Sequence, residues 1–248
     1  MEKNTKLIEG QRPIPNYPIS AKLGAFCAGA KHSDRPYLLH LDSDTLLLND
    51  FKPINQNDAD VFLKPVDLGF IFWGSEESYE RWKYLYSEIG KEFPGITLKS
   101  SIDKKPIPPF YNAGVVLAKN NGFASDWLEM TKFVHNEYPD QRFSDQVALG
   151  LLSDQLKINR FTEKESWIMG GHYWCPTDVN VLRYQTFEQL ARTNNPYIWK
   201  KLLDIGITLQ KLYKIEDKFL LKLMFRYYRA MKFRQPWVRK KLNSLNIP

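Results

Sequence analysis

One stretch constrains this chain more than any other: Tyr37-Leu-Leu-His-Leu-Asp-Ser-Asp-Thr-Leu-Leu-Leu48. It reads as an apolar strand that ends in two carboxylates, Asp42 and Asp44, one residue apart. A buried strand delivers its last residues to the edge of a sheet, where ligands bind in open α/β folds. Like charges held close together repel, and a divalent cation is the usual remedy. Hard oxygen ligands suit Mg²⁺ or Mn²⁺, whose remaining positions go to water and phosphate oxygens. The pair therefore points to a diphosphate-bearing substrate. A solvated turn after a strand is the plainer reading of the same residues. An aspartyl nucleophile of the haloacid-dehalogenase type would need Asp-X-Asp-X-Thr, and Thr45 stands one place too early for it.

Strands alternate with helical patterns on either side of this run. Ser20–Lys31 has Leu23, Phe26, Cys27 and Ala30 on one helical face, with Ser20 placed to cap it. Ala59–Lys64 and Phe110–Ala118 read as buried strands, and Val179–Tyr184 as a last one. Glu76–Ile89, Ser125–Glu137 and Ser144–Leu152 read as helices. This alternation predicts an α/β fold. Only about forty residues precede the carboxylate strand, with no apolar strand among them. The expectation is that a first nucleotide-binding unit is absent, that the chain is a fragment, or that another chain supplies the unit.

Composition narrows the class. Of 248 residues, 43% are hydrophobic and 25% charged, as in globular proteins, and no apolar run is long enough to span a bilayer. Cys27 and Cys175, the only cysteines, make neither a disulfide framework nor a zinc site, so a reducing, cytoplasmic compartment is expected. The net charge of +7 is uneven. Between Trp199 and Lys241 stand thirteen Lys and Arg against three Asp and Glu, and the rest of the chain is slightly acidic. Lys211, Lys214, Lys218, Lys222, Arg226, Arg229 and Lys232 recur at steps of three and four, beside Leu, Phe, Tyr and Met. That is a basic amphipathic helix. It suits an anionic membrane surface at the cytoplasmic face, or else packs on the domain with a solvated side. Nucleic acid is disfavoured as a partner, because the body is acidic and carries no base-reading motif.

Further motifs follow the carboxylates. Asn112-Ala-Gly114 leads into an apolar strand, and its amide suits a sugar hydroxyl while Ala113 and Gly114 permit close backbone approach. Asp145 and Gln146 follow Ser144, a second possible cap, at a helix start that favours an anion. His172 follows a Gly pair, and Pro176-Thr-Asp-Val-Asn-Val-Leu-Arg-Tyr184 closes the series.

In this order the four motifs resemble GT-A-fold glycosyltransferases, above all the glycosyltransferase family 8-like group, over roughly residues 20–185. The resemblance implies a GT-A-like (Rossmann-like) mixed sheet flanked by helices, with the basic helical tail appended. The expected organisation is an extended lead-in at 1–19, an N-terminally short glycosyltransferase domain at 20–195 and the basic amphipathic helical tail at 196–248. It implies a nucleotide-sugar donor, Mn²⁺ or Mg²⁺, and transfer of a hexose to an acceptor hydroxyl, here read as that of a glycan or lipid-linked glycan. A family 8 enzyme would retain configuration, whereas an inverting one would need a carboxylate base near the acceptor hydroxyl. Asp42 and Asp44 match the metal- and diphosphate-binding pair, with Asp42 also near the ribose. Asn112, Ala113 and Gly114 match a turn that contacts the donor sugar, and Asp145 and Gln146 the pair beside the anomeric carbon. Lys22 matches a basic position that reaches the donor; read alone, it is a solvated helix residue. The family's late strand carries a metal-binding His before the Tyr, where this chain has Arg183. Arg cannot ligate a metal but pairs with a diphosphate. His172 could take the ligand's place, although its setting suits a structural role as well. The alternative function is a non-catalytic fragment or subunit that binds a partner or membrane through its basic helix. Oligomeric state is not legible.

Overall fold

The computed structural model describes residues 8, 11–49, 59–69, 72–169, 175–176, 178–184 and 198. His172 and the basic tail lie outside them. The elements run α1 (Ser20–His32), β1 (Tyr37–Leu41), β2 (Thr45–Leu47), β3 (Val61–Pro65), α2 (Tyr79–Glu88), β4 (Leu98–Lys99), β5 (Pro106–Ile107), β6 (Tyr111–Lys119), α3 (Phe123–Glu137), α4 (Ser144–Leu152), β7 (Ile158–Arg160), β8 (Ser166–Ile168) and β9 (Val181–Arg183). This is the expected mixed α/β fold, with helices packed on the sheet.

The described residues divide into two compact units. The first holds those up to Ser43 and from Ala59 to Thr162; the second holds Asp44–Asn49 and those from Glu163 onward.

The first unit is built on a four-stranded sheet in the order β1-β6-β3-β7. β6 pairs antiparallel with β1 and β3, and β3 pairs parallel with β7. Every residue of β6 from Tyr111 to Ala118 is buried, as its continuous apolar run requires of a central strand. Phe26 of α1 and Trp127 of α3 meet the His40 ring edge-on, which seats both helices on that face of β1. α1 buries Leu23 and Phe26, two residues of the predicted apolar face. α3 begins two residues before the predicted Ser125, because Gly122, at φ 102, makes a left-handed turn that starts the helix early.

Neither predicted serine caps its helix. The Ser20 hydroxyl donates to Ile14 O (3.1 Å) and accepts from Ile14 N–H (3.2 Å), which closes a loop ahead of α1. α4 starts at Ser144, after Phe143 in the left-handed region, and no side chain caps it. Residues 13–19 are bends and turns rather than an extended lead. Gln11 and Pro13 pack closely on α1: a Cβ at Gly24 would run into the Gln11 carbonyl oxygen and crowd the Pro13 ring.

The second unit carries a three-stranded sheet in the order β2-β9-β8, with β2/β9 antiparallel and β8/β9 parallel. Leu48, Trp167, Met169, Val179, Leu182 and Ile198 form its core.

Candidate functional site

The first unit assembles most of the predicted residues. β1 stops at Leu41, and the Asp42 N–H donates to Gly114 O at 2.9 Å, so Asp42 is held opposite β6. Its carboxylate faces His40, whose Nε2 lies 3.1 Å from Asp42 Oδ1. Lys22, in the first turn of α1, reaches two carboxylates at once. Its Nζ is 3.7 Å from Asp42 Oδ1 and 2.5 Å from Asp145 Oδ2. Lys22 is therefore not a solvated helix residue: its side chain is only 15% exposed.

Asp145 lies in the first turn of α4 and is 1% exposed. A carboxylate taken that far from water costs several kcal/mol unless its oxygens are satisfied. Here Tyr17 Oη donates to Oδ1 at 2.8 Å while Lys22 meets Oδ2, an ionic contact outside hydrogen-bond geometry. Trp127 Nε1 donates to the Asp145 backbone oxygen at 2.8 Å, which fixes the turn itself. The start of α4 adds favourable dipole for the negative charge. Burial, and then the neighbouring Asp145 charge, push the Tyr17 phenol far above its ordinary pKa, so it keeps the proton it donates. Gln146, next in line, is also buried.

Asn112, Ala113 and Gly114 lie within β6 and do not form the predicted turn. Asn112 Oδ1 accepts the Gly114 N–H at 2.9 Å, a local bond that competes with the sheet ladder. The register between β3 and β6 breaks at the same place, moving from Phe62↔Leu117 to Lys64↔Asn112. Such irregularities re-aim side chains beside sites.

The second unit carries Asp44 and Arg183. The Tyr184 N–H donates to Asp44 O at 2.9 Å, and Arg183 Nε donates to Asp44 Oδ1 at 3.3 Å. Thr45 and Arg183 are register partners on β2 and β9, which explains the pairing. Burial, then the Asp44 charge, raise the Tyr184 phenol above its usual range. Among the described residues no group of three or more His, Cys, Asp or Glu could hold a metal ion. Asp42 in the first unit is 14% exposed and Asp44 in the second 29%. A carboxylate is a hard oxygen ligand of the kind that Mg²⁺ and Mn²⁺ take.

Two residues were not anticipated. Phe72 (φ 54) and Phe143 (φ 71) both hold left-handed backbone, a strained state for bulky side chains that is often kept at functional sites. Their rings meet at 4.7 Å between centroids, directly ahead of Ser144-Asp145-Gln146, and Phe72 remains 57% exposed. Trp73 Nε1 donates to Arg142 O at 3.2 Å and ties the two turns together. Aromatic content alone did not single them out.

Residues 5–157, more than half of the chain, match the family model of the Rhodobacterales glycosyltransferase domain. The chain belongs to that family. The match bears out the resemblance to glycosyltransferases and takes in Lys22, Asp42, Asp44, Asn112–Gly114, Asp145 and Gln146. It stops short of Arg183 and His172. No curated protein matches the chain. Among solved structures, the crystal structure of galactosyltransferase LgtC in complex with donor and acceptor sugar analogues shares 17% identity with it at a TM-score of 0.41. An active-site mutant of LgtC gives 17% and 0.39. In both cases 71% of this chain is covered and 62% of the LgtC chain, so it spans less than two thirds of LgtC. At that identity and TM-score, neither substrate nor mechanism passes from LgtC to this chain.

Proposed function

We propose that this glycosyltransferase moves a hexose from a nucleotide-sugar donor to a hydroxyl of a glycan or lipid-linked glycan. The observation that carries the reading is Lys22, a single cation that bridges Asp42 and Asp145. One carboxylate belongs to the diphosphate motif and the other to the pair expected beside the anomeric carbon. Asp42 and Asp44, with His172 as a third candidate, would hold Mn²⁺ or Mg²⁺. When bound, that ion neutralises charge on the departing diphosphate. Lys22 and Arg183 are the cations that this reading assigns to the diphosphate. Asn112, Ala113 and Gly114 orient the donor sugar. As the C1–oxygen bond to the diphosphate breaks, Asp145 stabilises the developing oxocarbenium through its charge and Gln146 through contact. The acceptor oxygen then bonds to C1, and its proton passes to the departing diphosphate oxygen. With retained configuration, no separate strong base is needed.

Calorimetric titration of the full chain with UDP-glucose, UDP-galactose and GDP-mannose, in MnCl₂ and in EDTA, tests this reading. One donor should bind, more weakly in EDTA and more weakly to Asp44→Ala. No binding by any donor would leave the non-catalytic subunit as the better reading.

The exposed Phe72 ring against Phe143 gives an acceptor sugar an apolar face to stack on. Phe72→Ala should raise the KM for the acceptor roughly tenfold, the scale of one lost ring contact, and leave donor hydrolysis nearly unchanged. Equal effects on both would remove the acceptor role.

In this reading the basic residues between Trp199 and Lys241 would bring the protein to an anionic surface at the cytoplasmic face of the membrane. No helix among the described residues is long and apolar enough to cross a bilayer. Salt-sensitive pelleting with phosphatidylserine vesicles is expected, and pelleting that ignores salt, or none, would end the membrane assignment.

A further inference from the structure

The loop ahead of α1 contributes a side chain to the site that no motif announces. Tyr17 is buried, and its ring stacks on His135 of α3 at 4.9 Å with 26° between planes. Its hydroxyl donates to Asp145 Oδ1 at 2.8 Å, and the Asp145 N–H donates back to the Tyr17 hydroxyl oxygen at 3.4 Å. The loop that presents Tyr17 is closed at both ends. The Tyr17 N–H donates to Ile14 O at 3.1 Å, and the Ser20 N–H donates to Tyr17 O at 2.9 Å. The buried Ser20 hydroxyl adds two bonds to Ile14. Tyr17 is thus fixed by its backbone, its ring and its hydroxyl, and the group it fixes in turn is the Asp145 carboxylate.

We propose that Tyr17 is a positioning residue for glycosyl transfer: it holds Asp145 in the orientation from which that charge meets the reacting carbon, with Lys22 on the other oxygen. The proposal rests on the functional reading above. Packing alone requires a ring at position 17 and nothing of its hydroxyl. The phenol keeps its proton, because burial and the Asp145 charge both oppose its loss. It therefore acts as a constant donor. A hydrogen bond on one oxygen and an ion pair on the other hold the buried carboxylate from both sides.

The test uses the full chain and whichever of UDP-glucose, UDP-galactose and GDP-mannose the wild type turns over. Tyr17→Phe keeps the ring on His135 and removes only the hydroxyl. We expect kcat to fall roughly 10- to 100-fold, the range for one hydrogen bond to a charged group, with the donor KM within about twofold of wild type. In an Asp145→Asn background the same change should cost less than about twofold, because Tyr17 acts through Asp145. Ser20→Ala, which loosens the loop, should give a smaller loss of the same kind and serves if Tyr17→Phe does not fold. An unchanged kcat in Tyr17→Phe, beside an inactive Asp145→Asn, would overturn the positioning role and leave the functional reading standing. So would full additivity of the two changes. A wild type that turns over none of the three donors removes the functional reading, and the role of Tyr17 with it.

Discussion

Lys22→Met should destabilise the protein by about 3 kcal/mol, the lower end for breaking a buried ion pair by removing one partner. Lys22 Nζ sits 2.5 Å from Asp145 Oδ2, and Asp145 is 1% exposed, so the variant strands a buried carboxylate with only the Tyr17 bond left on it. That remaining bond, and the partial exposure of Lys22, hold the loss to the lower end. Urea unfolding should show a lower midpoint with an unchanged slope. Lys22→Met combined with Asp145→Asn should recover most of the loss, because the second change removes the stranded charge. A midpoint that does not move in Lys22→Met would show that water screens the pair. Because Lys22 also reaches Asp42 at 3.7 Å, the single variant should lose donor binding as well.

Asp42→Asn and Asp44→Ala should each lower donor turnover roughly 100- to 1000-fold, the scale of losing one group that stabilises developing charge. The two should differ in what they leave behind. Asp42→Asn releases His40 and Lys22, so part of its loss should appear as weaker donor binding. Asp44→Ala releases Arg183 from its 3.3 Å contact and keeps the Lys22–Asp145 pair intact. Its response to added MnCl₂ should flatten while its unfolding midpoint stays close to wild type. If Asp44→Ala keeps full turnover and full response to Mn²⁺, the carboxylate pair is the solvated turn that the sequence also allowed.

Local pattern carried much of this fold. β1 and α4 have the bounds that apolar runs and helical spacing predict, Tyr37–Leu41 and Ser144–Leu152. Where prediction missed, a contact from elsewhere had won. Ser20 looked like a cap, but its hydroxyl is taken by Ile14. Ser144 looked like another, but a left-handed Phe143 makes that turn. Strands of two or three residues, such as β2, β4, β5, β7 and β8, are too short to show a period. In the site, the carboxylates, Asn112 and Asp145 were legible because each lies in a short motif. The pairings between them were not, since Lys22 meets Asp145 and Tyr17 meets it across 128 residues of sequence. Tyr17 sits in a Pro-flanked segment that sequence pattern reads as a lead-in, so only the folded loop shows what it holds.

The most direct measurement is nucleoside diphosphate release by the full chain from UDP-glucose, UDP-galactose and GDP-mannose in MnCl₂, with Asp145→Asn as the control. The proposed site predicts release from at least one donor and its loss, by about 100-fold, in the variant. All three donors left intact by folded wild type, or equal release by Asp145→Asn, would contradict it.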